Sequence, residues 1–262
     1  MRENALKTAW AADQATIGLW LANADPVAVE QLGGVGFDYI CLDLQHGLID
    51  YGNVVPALQA QQQSQSTPIA RAPWNEPGII GKLLDAGVMG VIIPMVNTVA
   101  EAEAAVAACR YAPQGSRSFG PTRAASALGP DYYQDANNQV ACIPMIETVT
   151  ALENLDDIVK VEGIDAIYVG PADLGISLGL GPGSDNADPS FQDAIKHILA
   201  ACKANGIAPG IHSVPEMVPM RVEQGFKMVT ATSDLGAVNA GARNALKVAR
   251  GEAEGAGGGS MY

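Results

Sequence analysis

The chain has 262 residues, 48% hydrophobic and 16% charged, which supplies a sizeable core and excludes a disordered chain. Lysine and arginine total 15 against 28 aspartates and glutamates, for a formal net charge of -13. That balance lacks the cationic footprint needed to neutralise nucleic-acid phosphates or to adsorb to anionic lipid, so neither partner is expected.

From the start, Met1 to Thr16 mixes Arg2, Glu3, Lys7 and Asp13 with alanines and has no compact apolar stretch of the targeting kind. Short β-like runs then alternate with amphipathic helical stretches. Residues 16–21 form the first predicted strand, and a helix that Asp25 caps and Pro26 opens comes next. Residues 39–44 give the second strand and 68–71 the third, with a helix over 77–85 after it. The fourth strand is 90–95, and Thr98 caps an alanine-rich helix ending at Cys109. Residues 141–147 are the fifth strand; Thr148 or Thr150 caps the next helix, with Glu153 placed for a capping box after Thr150. The sixth strand is 166–170, the seventh 208–212 and the eighth 226–231, before a final helix over about 235–248.

These runs are short and apolar on both faces, as parallel strands covered by helices are. Eight strand–helix units predict an α/β fold of the (β/α)8, or TIM, barrel class. An open doubly wound sheet is the alternative, weakened because Asn23-Ala24-Asp25-Pro26 comes after the first strand, where a glycine-rich phosphate loop is expected. Residues 1–250 read as one domain. Residues 251–262, carrying Gly257-Gly258-Gly259-Ser260, read as a flexible tail. Two long connections break the rhythm, 111–140 and 174–189, and long loops in compact domains tend to be functional. The longest apolar run, 87–96, is too short to span a bilayer. Cys41, Cys109, Cys142 and Cys202 form no Cys-x-x-Cys pair and read as reduced, mostly buried thiols of a cytoplasmic protein.

In such a barrel the C-terminal strand ends face the active site. The polar residues falling there are Asp43, His46, Arg71, Glu147, Asp173 and His212. Glu147 and Asp173, on neighbouring strand ends, can share one divalent cation, and oxygen-only ligation favours Mg2+ or Mn2+ while admitting Co2+ or Zn2+. The competing reading of either carboxylate is a helix cap. Asp43, three residues before His46, is expected to orient the imidazole as a general base; the plainer reading is a surface histidine capping a loop. Arg71 can hold a carboxylate or stabilise an enolate, or else serve a structural ion pair. His197 reads as a solvated bystander and His212 as structural. None of the seven lysines is expected inside the mouth, which argues against a Schiff-base mechanism.

The motifs Gly18-Leu19-Trp20, Asp43-Leu44-Gln45-His46-Gly47, Arg71-Ala72-Pro73-Trp74, Pro94-Met95-Val96, Ile146-Glu147-Thr148 and Gly170-Pro171-Ala172-Asp173-Leu174 occur together in this order. Over roughly residues 16 to 248 the chain resembles the metal-dependent class II pyruvate aldolases of the HpcH/HpaI aldolase/citrate lyase family. The resemblance implies a phosphoenolpyruvate/pyruvate-type barrel that reversibly cleaves 4-hydroxy-2-oxo acids to pyruvate and an aldehyde. It implies Glu147 and Asp173 as metal ligands, His46 as proton acceptor, Arg71 as enolate stabiliser, and the Ala172 and Asp173 backbone as the carboxylate site. It also implies that Asp85, delivered from a neighbouring subunit, raises the basicity of the histidine. The assembly it implies is a hexamer of swapped dimers that exchange the last helix. Gln45 and Met145 depart from the glutamate and glutamine often found there, and Met145 hints at a less polar substrate contact. Oxaloacetate decarboxylation, citryl- or malyl-CoA-type cleavage, and a silent barrel that binds a small acid are the alternatives.

Overall fold

The computed structural model describes residues 1–252. Eight parallel strands close into a barrel in chain order. They are β1 (Thr16–Leu21), β2 (Tyr39–Asp43), β3 (Thr67–Arg71), β4 (Gly90–Ile93), β5 (Ala141–Ile146), β6 (Ala166–Val169), β7 (Ala208–His212) and β8 (Met228–Ser233). Pairing of β8 with β1 completes the closure. The (β/α)8 reading holds, and the open sheet is excluded.

The strands are largely apolar because each has two faces to bury, with polar residues such as Asp43, Arg71 and His212 at their ends. Leu19, Leu21, Ile40, Leu42 and Val91 point outward into one large cluster with helix residues such as Leu83, Leu84 and Ile198. The alternate residues Trp20, Tyr39, Cys41, Ile92, Ile143, Met145 and Tyr168 fill the inside. The two-residue strand period thus makes two cores from one sheet, and the lumen is packed rather than open.

Several strand ends differ from the sequence expectation. β2, β4 and β5 stop at Asp43, Ile93 and Ile146, each one or two residues early. Pro94 has no amide to continue the ladder, and Met95 turns out with φ of 56°. β8 begins two residues late, after Phe226 and Lys227. Thr148, not Thr150, caps the helix Val149–Glu153 by accepting from the Ala151 amide at 3.0 Å. Thr98 caps as expected and forms a full box with Glu101. The long connection over 111–140 contains two short helices, Ala124–Leu128 and Tyr132–Gln139.

The N-terminal segment, where the sequence pattern predicts no element, forms the helix Ala5–Ala11. It closes the N-terminal end of the barrel. Leu6 is fully buried in the inner cluster, and the Trp10 indole donates to Thr16 Oγ1 and to the Lys227 carbonyl, both at 3.1 Å. At the other end of the chain, the helix Asp234–Ala249 buries only its first residue and leaves Leu235, Val238 and Leu246 exposed. The glycine-rich stretch of the tail lies outside the described residues. All four cysteines are free and buried. No helix of the described residues is long and apolar enough to cross a membrane.

Leu6→Ala should lower stability by about 2–5 kcal/mol, the range for emptying a fully buried leucine site. Urea denaturation measures it. A loss below about 1 kcal/mol would show that this helix does not seal the barrel.

Candidate active site

Glu147 leaves the sheet directly after β5 and turns its carboxylate under the mouth. It is 1% exposed. Its Oε1 accepts the Met95 amide at 2.8 Å, which the left-handed turn at Met95 presents to it. Its Oε2 is buried and has no hydrogen-bond partner among the described residues. Burial pushes its pKa up to about 7; the Asp173 charge adds to the rise, while the Met95 amide and Arg71 oppose it. Gly170 leaves room for this oxygen, because a Cβ there would stand 2.2 Å from Oε2 and the carboxylate would have to move. Asp173 lies in the first turn of the helix Pro171–Ser177, whose start lines the mouth.

A buried carboxylate oxygen with no donor is a costly arrangement unless a cation completes it. The donor set therefore fits a divalent ion held by two carboxylates. The described residues include no group of three or more His, Cys, Asp or Glu able to hold a metal. The remaining positions of such an ion would fall to water and substrate, as oxygen-liganded Mg2+ sites allow.

Arg71 ends β3, and the register places it directly beside Asp43 at the end of β2. Its Nε and Nη2 donate to Asp43 Oδ1 and Oδ2 at 2.8 and 2.7 Å. Burial works to raise the Asp43 pKa, but the Arg71 hydrogen bonds and charge outweigh it and leave it lowered. The Arg71 guanidinium also lies 5.0 Å from the Trp20 ring centre. This corrects the expectation that Asp43 orients the His46 ring. Asp43 Oδ1 accepts the backbone amides of Gln45 and His46, at 3.0 and 3.3 Å, and so shapes the loop, while the same carboxylate is held by Arg71 and makes no bond to the His46 ring. The structural ion pair weighed for Arg71 exists, and the same side chain lines the cavity.

That cavity has a volume of about 410 Å³. His46, Arg71 and Asp173 meet there, with Ala172 beside them. Trp20, Tyr168, Met145 and His212 form its strand-borne wall, and Pro182 to Ser184 its outer edge. No lysine is among the lining residues. Lys227 lies at the opposite end of the barrel, paired with Asp13 at 2.7 Å.

Two wall residues, Trp20 and Tyr168, escape the sequence reading. Both occupy inward positions near strand C-termini, so strand alternation is the signal that could have found them. Their rings stack at 5.7 Å, and His212 meets Trp20 edge-on at 5.0 Å. The Tyr168 hydroxyl lies 2.6 Å from Thr230 Oγ1 and 3.4 Å from His212 Nδ1. Burial, assisted by the Arg71 charge, pushes the His212 pKa from 6.5 down to about 4. His197 is exposed and pairs with Asp156 at 2.9 Å.

Asp85 is not at this mouth. It sits near the end of the helix Pro77–Ala86, which returns to the N-terminal side of the barrel before β4, and Arg117 Nη2 binds it at 2.7 Å.

Fold and site together define a class: a (β/α)8 barrel whose mouth is lined by Asp173 and Arg71, with the carboxylate of Glu147 buried next to it and no lysine among the lining residues. The HpcH/HpaI aldolase/citrate lyase family model matches residues 16–240. A hydroxypyruvate/pyruvate aldolase of Rhizorhabdus wittichii is 38% identical over 248 residues, covering 94% of this chain and 99% of that protein. A 5-keto-4-deoxy-D-glucarate aldolase of Salmonella paratyphi C is 42% identical over 241 residues, covering 90% and 93%. The solved structure of an HpcH/HpaI family protein from Burkholderia cenocepacia superposes with a TM-score of 0.88 at 32% identity, covering 94% and 99%. The chain belongs to the HpcH/HpaI aldolase/citrate lyase family. It is an enzyme of the carbon–carbon lyase class, an aldolase.

His212 sets a testable pH dependence. Above about pH 6.5 the ring is neutral in both the folded and the unfolded chain, so its environment costs nothing. Below that, the unfolded chain takes up a proton that the folded chain refuses until about pH 4, so stability falls through this window. The loss from this group should reach about 3 kcal/mol at pH 4. His212→Asn should lose correspondingly less between pH 7 and pH 4 in urea titrations. Parallel profiles for the two proteins would contradict the assignment.

Proposed function

We propose that this aldolase cleaves 4-hydroxy-2-oxo acids reversibly to pyruvate and an aldehyde, with Glu147 and Asp173 holding a divalent cation, Mg2+ or Mn2+ by preference. The observation that carries the reading is the buried Glu147 Oε2, without a partner among the described residues, which feels the Asp173 charge and packs against Gly170 beneath the cavity that Asp173, Arg71 and His46 line. When bound, such an ion supplies Lewis-acid polarisation of a 2-oxo acid.

The chain's own groups divide the remaining work. The Ala172 and Asp173 backbone receives the carboxylate. His46, exposed at the rim, takes the proton from the substrate's 4-hydroxyl. As that O–H breaks, the C4 oxygen becomes an aldehyde and the C3–C4 bonding pair passes into the enolate. Arg71 offsets the enolate charge, held in place by Asp43 and Trp20. A proton returned to C3 completes pyruvate. Met145 makes part of the wall apolar, which suits an acceptor less hydroxylated than a sugar acid.

Oxaloacetate decarboxylation uses the same enolate and is the expected side activity. Cleavage of a CoA thioester is disfavoured because Arg71 is the one arginine lining the cavity and no lysine joins it. The exposed apolar side chains of the last helix suit docking on a second copy, in the swapped hexamer the resemblance implies. Asp85, at the far end of its own barrel, reaches a mouth only by delivery from a neighbouring copy. Four free, buried thiols suit the reducing cytoplasm.

The two catalytic roles separate in one experiment. His46→Ala should lose aldol cleavage by roughly two to four orders of magnitude. It should keep more of its oxaloacetate decarboxylation, which needs no hydroxyl deprotonation. Arg71→Ala should depress both reactions together. Equal losses in His46→Ala, or selective loss of cleavage in Arg71→Ala, measured by pyruvate release at saturating metal, would overturn the assignment.

A further inference from the structure

The chain leaves regular structure at Leu178 and re-enters it at Pro189. From this segment Pro182, Gly183 and Ser184 line the cavity. Its start is fixed where the Leu180 amide donates to the Gly175 carbonyl at 2.8 Å. Backbone packs so closely here that a Cβ on Gly175 would stand 2.4 Å from the Gly181 carbonyl oxygen. Its far end is held by Gln192 Nε2, which donates to Asp185 Oδ1 at 3.2 Å and to the Asn186 carbonyl at 2.6 Å.

Between these anchors the segment rests on a cation. Arg221, in the helix Val218–Gln224, is 0% exposed. Its Nη2 donates to the Ser184 carbonyl and to Asp185 Oδ1, both at 3.0 Å, and its Nη1 donates to Gln224 Oε1 at 3.0 Å. Its Nε is buried and has no partner among the described residues. A fully buried guanidinium with one carboxylate and an unsatisfied N–H is a weak stabilising device, since an apolar side chain of similar volume often does as well. What it does deliver is a fixed position for the carbonyl of a cavity-lining residue.

We propose that Arg221 is a positioning residue for the acceptor half of the site. Its guanidinium fixes the Pro182–Ser184 edge against which the aldehyde end of the substrate packs. Glu147, Asp173 and Arg71 occupy the 2-oxo acid end. Apart from His46 on the loop after β2 and Gly170 at the helix cap, the Pro182–Ser184 edge is the part of the lining that comes from neither a strand nor the helix Pro171–Ser177, and it stands as the outer edge that borders the rest of the substrate. The inference rests on the aldolase reading and specifies which part of the fold selects the acceptor.

Arg221→Met keeps most of the volume and removes every donor. In the condensation direction the KM for aldehyde should rise about ten-fold, the size of one lost charge-assisted hydrogen bond, and discrimination between short and long aldehydes should shrink. Exchange of the pyruvate methyl protons with deuterium oxide, which needs only the 2-oxo acid end, should stay within about two-fold of wild type. Amide hydrogen exchange over residues 180–186 should quicken while the barrel strands keep their protection. Asp185→Ala, at the partly exposed end of the pair, should shift the aldehyde KM in the same direction by a smaller factor, and it decides the matter if Arg221→Met does not fold. An unchanged aldehyde KM in the folded variant, or a parallel loss of methyl exchange and condensation, would overturn the proposal. Absence of methyl exchange in the metal-supplied wild type would instead strike the proposed pyruvate-enolate reaction.

Discussion

The arrangement on which the site depends is a carboxylate placed where water cannot neutralise it. Glu147 is 1% exposed, and one of its oxygens has no donor among the described residues. The fold accepts this cost and arranges several elements around it. Met95 adopts φ of 56°, a conformation that costs a non-glycine residue about 1–3 kcal/mol, and by doing so aims its amide at Oε1. Residue 170 lacks a side chain, which leaves room for Oε2. Asp173 adds a second negative charge rather than a compensating positive one. The nearby cation that could have neutralised Glu147, Arg71, is already bound through two hydrogen bonds to Asp43. The result is a concentrated negative site at the end of a closed barrel, suited to an ion of charge two.

Pairing Arg71 with Asp43 has a second consequence. A guanidinium gripped on one edge and packed over Trp20 is held in one place, which suits the enolate-stabilising role proposed for it. The same positive charge helps keep His212 neutral, giving the site a wall of uncharged aromatic groups, Trp20, Tyr168 and His212. The charged groups gathered at this end of the barrel are thereby Arg71 with its partner Asp43, and the neighbouring Glu147 and Asp173. The Pro182–Ser184 edge is not built on a strand, and in the proposed division the choice of acceptor belongs to it and the 2-oxo acid end to the strand ends and the helix Pro171–Ser177.

Most of this is legible in the sequence because parallel barrel strands bury both faces and therefore appear as uninterrupted apolar runs. The acidic and basic residues that end those runs, Arg71, Glu147 and Asp173, fall at the mouth by topology alone. Other features depend on contacts that sequence distance conceals. Asp43 and His46 are three residues apart and invite pairing, yet the β2–β3 register sets Asp43 against Arg71. The N-terminal helix carries only Leu6 and Trp10 as large apolar residues, too few to form a stripe, and its stability comes from plugging the barrel. Arg221 looks like a solvated helix residue, because arginines are seldom fully buried, and only the packed segment above it reveals its partner.

We propose that a divalent ion completes the buried Glu147 Oε2, which has no donor among the described residues. Titration of the chelator-stripped protein with Mn2+, monitored by the loss of the free-ion electron paramagnetic resonance signal, tests that claim most directly. One tight Mn2+ site per chain is expected, lost in Glu147→Gln while the barrel stays folded. Equal Mn2+ binding by Glu147→Gln, or no saturable binding by the wild-type chain, would contradict it.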